Sequence, residues 1–204
     1  MQDLFNIISD RRSIRKYQNT PVPQDLIEEV LVAAGWAPSA HNAQPWRFII
    51  LTEDKAKKEL AEAMAEVWVA DMAKDSVKIE EEVRKVKVGR FASAPVLILA
   101  CSTMEGMNKQ PDAERQVVEH DLAMQSLGAA MQNLLLTAYS KGLGACWFCA
   151  PSFCKSTVRT ALKIPENMEP QALIAMGYSN EKPIAPSRRV LGEYCFKNKW
   201  GKKI

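Results

Sequence analysis

From about Ala113 to Lys141 the chain reads as one long helix, and the rest of the fold has to be arranged round it. Leu122, Met124, Leu127, Ala130, Met131, Leu134, Leu135 and Ala138 recur at helical spacing. In its second half the apolar positions run round most of the circumference, so the helix is expected to pass through a core. Gly142 and Gly144 stop it. The partner for such a helix is a set of apolar strands. Pro95-Val96-Leu97-Ile98-Leu99-Ala100-Cys101 is a nearly continuous apolar run, the pattern of a strand buried on both faces. Trp46–Leu51, Ala145–Phe148 and Gln171–Tyr178 read as three more strands.

Helices are expected over 2–9, with Leu4, Ile7 and Ile8 on one face, from Pro23 to about Trp36, and over 54–74 and 155–162. The stretch 38–45 is too polar and proline-bounded for either periodic element and reads as an ordered loop. Residues 75–90 are densely charged and weakly periodic. They either prolong the preceding helix or lie over the surface, so 53–90 is expected as a helical, charged cover. There is no internal repeat and no linker, which predicts a single α+β domain over 1–204.

Composition narrows the partners. A net charge of +3 gives no case for nucleic acid. No apolar run reaches membrane-spanning length, and Met1-Gln2-Asp3 does not open a signal peptide. Five cysteines, an odd number without an export signal, favour reduced thiols and a cytoplasmic protein. The tail from Pro183 to Ile204 is basic and aromatic. Tyr194, Phe196 and Trp200 follow the last strand, where a monomer has little core left to cover them, and this points to a homodimer embraced by residues 190–204.

Several chemistries are weakly supported by the residues present. Cys146, Cys149 and Cys154 lie close in sequence, but a thioredoxin-type pair needs a helix starting at its first cysteine, and the helix here begins beyond Pro151. A metal site needs a fourth ligand, and Cys101 and Cys195 lie far away; the cysteines read as small hydrophobes and no metal is expected. His41 and His120 have no nucleophile motif beside them, and no glycine-rich phosphate loop follows a strand. What remains is Arg11-Arg12-Ser13-Ile14-Arg15, the loop at 38–46, and Arg188-Arg189. Arginine forks bind phosphate bidentately, and two such clusters from opposite ends of a domain can converge on one phosphate. Ser39, Asn42, Gln44 and the loop backbone could meet a flat heteroaromatic ring such as a flavin.

These residues resemble the nitroreductase family of FMN flavoproteins. The resemblance covers essentially the whole chain and rests on Arg-Arg-Ser-Ile-Arg at 11–15, Pro-Ser-Ala-His-Asn-Ala-Gln-Pro-Trp at 38–46, Gly-Leu-Gly-Ala-Cys-Trp at 142–147, Ala-Leu-Ile-Ala-Met-Gly-Tyr at 172–178 and Ser-Arg-Arg at 187–189. It implies a nitroreductase-like fold, with a central, mostly antiparallel sheet flanked by helices, in a homodimer with swapped tails. By position, Arg11, Ser13 and Arg188 match the residues that hold the FMN phosphate. Arg12 and Arg15 match residues that reach phosphate, ribityl chain or ring edge. Pro38, Ser39 and Asn42 match the loop that the partner subunit lays over the flavin, and Cys149, Ala150 and Pro151 match the segment beside its reactive nitrogen. Ser126 is a further contact. The implied activity is ping-pong hydride transfer from NAD(P)H through non-covalent FMN to a small electron-poor acceptor, a nitroaromatic or a quinone.

Two departures from the family pattern stand out. Pro186 replaces a common lysine two residues before Arg188, leaving Arg189 or Arg12 to compensate. Cys-Trp-Phe-Cys-Ala-Pro-Ser-Phe-Cys at 146–154 replaces a glutamate–glycine pair. With Met168–Leu173, that version is similar to the reductase domain of the bifunctional deazaflavin-biosynthesis protein. A reductase of that kind is expected to carry a basic groove lined by Lys85, Lys87 and Arg90. A non-catalytic flavin carrier or sensor is the remaining alternative.

Overall fold

A computed structural model describes residues 3–204. Four strands form one antiparallel sheet: β1 (Trp46–Leu51), β2 (Val96–Thr103), β3 (Gly144–Phe148) and β4 (Met168–Gly177), in the order β1-β2-β4-β3. Six helices accompany it: α1 (Leu4–Asp10), α2 (Gln24–Gly35), α3 (Asp54–Lys74), α4 (Glu81–Ala92), α5 (Ala113–Ser140) and α6 (Lys155–Ala161). The most apolar strands are the central ones, because only a strand flanked on both edges and covered on both faces can do without polar side chains. Every residue of β2 is buried.

The alternation of side chains divides the core in two. Val96, Ile98, Ala100, Ile174 and Met176 face α2 and α5, while Leu97, Leu99, Cys101, Leu173 and Ala175 face α3, α4 and α6. Residues Ala123, Leu127, Ala130, Met131, Leu134, Leu135 and Ala138 of α5 are buried against the first layer. Val117 and Val118 near its start stay exposed. The helix has more apolar circumference than the sheet covers.

Besides shifts of a residue or two at other ends, three differences from the sequence reading stand out. The first helix spans Leu4–Asp10 in place of 2–9, and residues 1–2 of that expectation lie outside the described residues. It buries no residue completely, and Leu4, Phe5 and Ile8 are exposed. Residues 75–90 do not prolong α3. Ser76 takes the left-handed conformation (φ 60°), the Val77 N–H closes back on Met72, and α4 returns along α3 with Val88 and Phe91 inward. Finally, β4 begins at Met168, before the expected Gln171. The register slips between Ala100/Ala172 and Cys101/Pro170, so Gln171 is an extra, bulged residue that carries Pro170 into the ladder.

Two close fits tie the N-terminal segment and the α3–α4 hairpin to the sheet. Lys57 is 3% exposed, and its ammonium donates to the carbonyls of Ala94 (2.8 Å) and Pro95 (3.3 Å) and meets Asp54 at 2.9 Å. A Cβ on Gly144 would lie 2.7 Å from Ile14, whereas one on Gly128 of α5 would have only an ordinary contact with Trp147 at 4.0 Å. Gly144→Ala is therefore expected to cost about 1–3 kcal/mol in denaturant unfolding through overpacking. Gly128→Ala is expected to be neutral or stabilising by up to about 1 kcal/mol. Equal effects from the two substitutions would contradict this account of the Ile14 contact.

Candidate functional site

The arginine stretch is strapped along the free edge of β3. Ser13 bridges Ala145 in parallel, and the Ile14 N–H donates to the Ala145 carbonyl at 3.1 Å, with Ile14 buried. Further on, the Gln18 N–H donates to Tyr178, and the Asn180 N–H to Lys16. The Glu181 carboxylate accepts from the backbone N–H groups of Arg15 and Lys16. The Tyr17 hydroxyl lies 3.0 Å from the Ala175 carbonyl, and burial pushes its pKa far up. Backbone pairing thus holds residues 13–18 in place and leaves the guanidinium groups unengaged by carboxylates.

Arg11 is half-buried, and its pKa is lowered by burial first and by Arg188 next, with a smaller effect from Arg12. The chain therefore brings Arg188, from its other end, near enough for its charge to act on Arg11. Among the described residues no carboxylate lies within 4 Å of the guanidinium groups of Arg11, Arg12, Arg15 or Arg188. Arg12 donates to the carbonyls of Ser9 (2.7 Å) and Arg11 (2.9 Å), closing α1, and Arg15 donates to Ser13 (3.3 Å). Arg189 is exposed, with no ion pair or side-chain hydrogen bond among the described residues. Clustered cations without counter-charges repel one another, and an anion offsets that repulsion.

Pro38, Ser39 and Asn42 are held elsewhere, along the first half of α5. The Ala40 N–H donates to Ser126 Oγ (3.2 Å), which itself donates to the Leu122 carbonyl (2.7 Å). Ser126 is thus engaged at both ends and acts on the loop. Ser39 Oγ accepts from the Gln44 N–H at 3.1 Å. His41, Asn42 and Gln44 all have positive φ (56°, 53° and 48°), an unfavourable state for residues other than glycine. Glu119, 4% exposed, fastens them. Its carboxylate meets His41 Nε2 at 3.3 Å and accepts from Gln110 Nε2 (2.9 Å) and the Asn108 N–H (3.3 Å). The sequence reading missed Glu119, which looks like one more polar residue on a helix.

Cys149 leaves β3 exposed, and a short 3-10 turn over Ala150–Phe153 buries Pro151. Ser152 Oγ donates to the carbonyl of the bulged Gln171 at 2.7 Å and pins the turn. Beside it lies a cavity of about 480 Å³ walled by Met64, Trp68, Phe91, Phe148 and Phe153, with Cys149, Ala150 and Cys154 on one side. Burial pushes the Cys146 and Cys154 thiols up, as expected of small core residues. The indole N–H of Trp147 is buried without an acceptor among the described residues. His120 stands apart, 3.2 Å from Glu169, which Lys155 also holds. Among the described residues no three His, Cys, Asp or Glu side chains gather as metal ligands, and no helix is long and apolar enough to cross a membrane.

The loop anchor makes a pH prediction. The Glu119 carboxyl sits below the usual range, chiefly through the Gln110 hydrogen bond, with burial opposing and His41 and the Asn108 N–H assisting. A depressed folded-state pKa contributes stability above the ordinary carboxylate value of about 4.3 and loses it as pH falls through the folded value. Hydrogen-exchange protection of the 40–44 amides should hold from neutral pH to about that value and fall below it. Glu119→Gln should weaken protection at neutral pH and flatten the profile.

The chain is similar to proteins of one family. The model of the nitroreductase family matches residues 8–178. A Methanothermobacter thermautotrophicus protein named for NADH dehydrogenase/NAD(P)H nitroreductase activity is 33% identical over 184 residues, 89% of this chain and 80% of its own. YfhC of Bacillus subtilis, named for NAD(P)H nitroreductase activity, is 30% identical over 185 residues, 91% of this chain and 89% of its own. The crystal structure of a BluB-like flavoprotein from Clostridium difficile superposes with a TM-score of 0.80 at 24% identity, covering 98% of this chain and all of that one. Sheet order, the edge-strapped arginines and the span of the match lead to one conclusion: the chain belongs to the nitroreductase family.

Proposed function

We propose that this protein is an FMN-dependent NAD(P)H oxidoreductase that delivers electrons to a nitroaromatic, quinone or related electron-poor acceptor. The observation that carries the reading is the corner where Arg11, beside Arg12, feels the charge of Arg188 and none of their guanidinium groups has a carboxylate within 4 Å. A phosphate monoester fits that corner: its dianion supplies the missing counter-charge, and Ser13 adds a neutral hydrogen bond. Arg15 lies further along the strap, toward Cys146. The cofactor, when bound, supplies the two-electron chemistry that couples NAD(P)H to the acceptor.

The chain's own part is binding, orientation and exclusion of water. Cys149 and Ala150 line the cavity edge, with Pro151 buried beside them, and the aromatic walls keep solvent from the reacting face. Asp71 is the one carboxylate among the lining residues, and Lys74 holds it at 2.7 Å. The reading therefore places no strong side-chain general base in the cavity. A closer kinship with the deazaflavin-precursor reductases rests on 146–154 and 168–173. A carrier or sensor would bind FMN without oxidising NAD(P)H, so steady-state oxidation of NADH and NADPH with each class of acceptor separates the three.

The assembly we propose is a homodimer with shared sites. Within one chain the loop at 38–42 hangs on Ser126 and Glu119, while the arginine strap pairs with β3, which begins just after α5 ends. Twelve to nineteen residues of α5 separate Ala138 from those anchors, roughly 18–28 Å along the axis, so a loop from a second copy is the simpler way to complete a flavin site. The exposed Leu4, Phe5 and Ile8, Val117 and Val118, and Tyr194 and Trp200 of the tail are the surface such a partner would cover.

Two measurements test this. Joint replacement of Arg11 and Arg188 by alanine should weaken FMN binding by about 10²-fold or more, given about 1.5–3 kcal/mol for each hydrogen bond to a charged group. Full occupancy after ultrafiltration would refute the phosphate assignment. In sedimentation the protein should run as a dimer, and deletion of 191–204 should lower both dimerisation and flavin content. A flavin-loaded monomer would sink the shared site.

A further inference from the structure

Lys87 and Arg90 are cations on the wall of an otherwise apolar cavity, and neither has a carboxylate within 4 Å among the described residues. The contrast with the rest of α4 is informative. Glu81 pairs with Arg84 at 3.6 Å and Glu82 with Lys85 at 2.9 Å, so the first half of the helix is self-neutralised. Its second half sets uncompensated charge on the cavity wall, Lys87 half-buried and Arg90 exposed. The helix dipole accounts for a cation in the last turn such as Arg90. It does not account for Lys87, whose ammonium lies 3.4 Å from the centroid of the Trp68 ring, inside the cavity. Burial, and then Arg90, lower the Lys87 pKa, so the position is unfavourable for the charge.

We propose that this cavity is the acceptor site of the reaction proposed above, and that it selects a flat aromatic molecule bearing an anionic substituent, with Lys87 and Arg90 as the anchor. The ring is taken by Trp68, Phe91, Phe148 and Phe153, of which Phe91 and Phe148 already meet edge to face at 5.1 Å. A volume of about 480 Å³ suits a small aromatic ligand. The anion meets two cations that Asp71 does not neutralise, because Lys74 engages it. Anchoring at α4 turns the opposite end of the ring toward Cys149 and Ala150. This inference rests on the oxidoreductase reading for the chemistry, and on the cavity alone for the ligand.

The probe pair is 4-nitrobenzoate and nitrobenzene, which share the reducible group and differ in the anion. The reaction is Ar–NO₂ + NAD(P)H + H⁺ → Ar–NO + NAD(P)⁺ + H₂O, with the nitro group losing one oxygen as water. Binding of both to the flavin-loaded protein is measured by equilibrium dialysis, and turnover by NAD(P)H oxidation. The wild type should bind 4-nitrobenzoate about tenfold more tightly, the scale of one charge-assisted contact, and Lys87→Gln should erase that preference. Lys85→Gln, whose native ammonium pairs with Glu82 off the wall, should leave both affinities unchanged. Equal affinity for the two probes in the wild type, an equal effect of Lys85→Gln, or loss of FMN from Lys87→Gln alone would overturn the proposal. A binding preference without turnover supports the anion anchor and refutes the oxidoreductase reading. Turnover of both probes without a preference refutes the anchor alone.

Discussion

The seating of Ile14 on Gly144 is the contact from which the site follows. A side chain at 144 would have to displace Ile14, and Ile14 carries the N–H that fixes the strap to Ala145. Where that strap lies decides where five consecutive residues, three of them arginines, present their side chains. The strap's backbone pairs with the sheet and with Glu181, so the Arg11 guanidinium is not needed to hold it, although Arg12 closes α1. A fold that holds its cations by backbone alone can leave them available to a ligand.

The second constraint is the two-sided sheet. With β2 and β4 buried on both faces, helices must cover both layers, and α3 with α4 forms the cover on one side. That hairpin packs closely near the sheet, through Leu60, Ala61, Met64, Val88 and Phe91. Further out, between Trp68 and Phe153, it stands away from the 150–154 turn and leaves the cavity. Packing of one end and an opening at the other are parts of one arrangement, and the turn at Ser76 sets the angle between the two helices.

Much of this was legible in the sequence where a single local pattern decided the outcome. The limits of β1 and of α3 follow from periodicity and flanking residues, and the long helix from its apolar circumference. Residues 75–90 were harder, because only Val88 and Phe91 of α4 are buried, too few to raise a helical period above the charges. The bulge at Gln171 lies in register, which no single strand encodes. In the site, two arginine groups from opposite ends of the chain suggested convergence, and the charge of Arg188 does reach Arg11. Glu119, Gln110 and Asn108 could not be tied to His41, since contacts across 67 and more residues leave no local trace. The cavity was equally hidden, being made of walls from α3, α4, β3 and the turn that follows.

The helix α5 also sets a rule of symmetry. It holds a preformed loop near its start and, through the turn at Gly142, the strand that carries the arginine strap near its end, so in the shared-site assembly proposed above every copy would bring one half of each kind at a fixed separation. Two copies related by a twofold axis would then complete two equivalent sites and leave no half idle. A head-to-tail pair would complete one site and leave a loop and a strap unmatched, inviting a third copy and a fourth. A rigid helix that keeps the halves apart within the chain thereby favours closure at two.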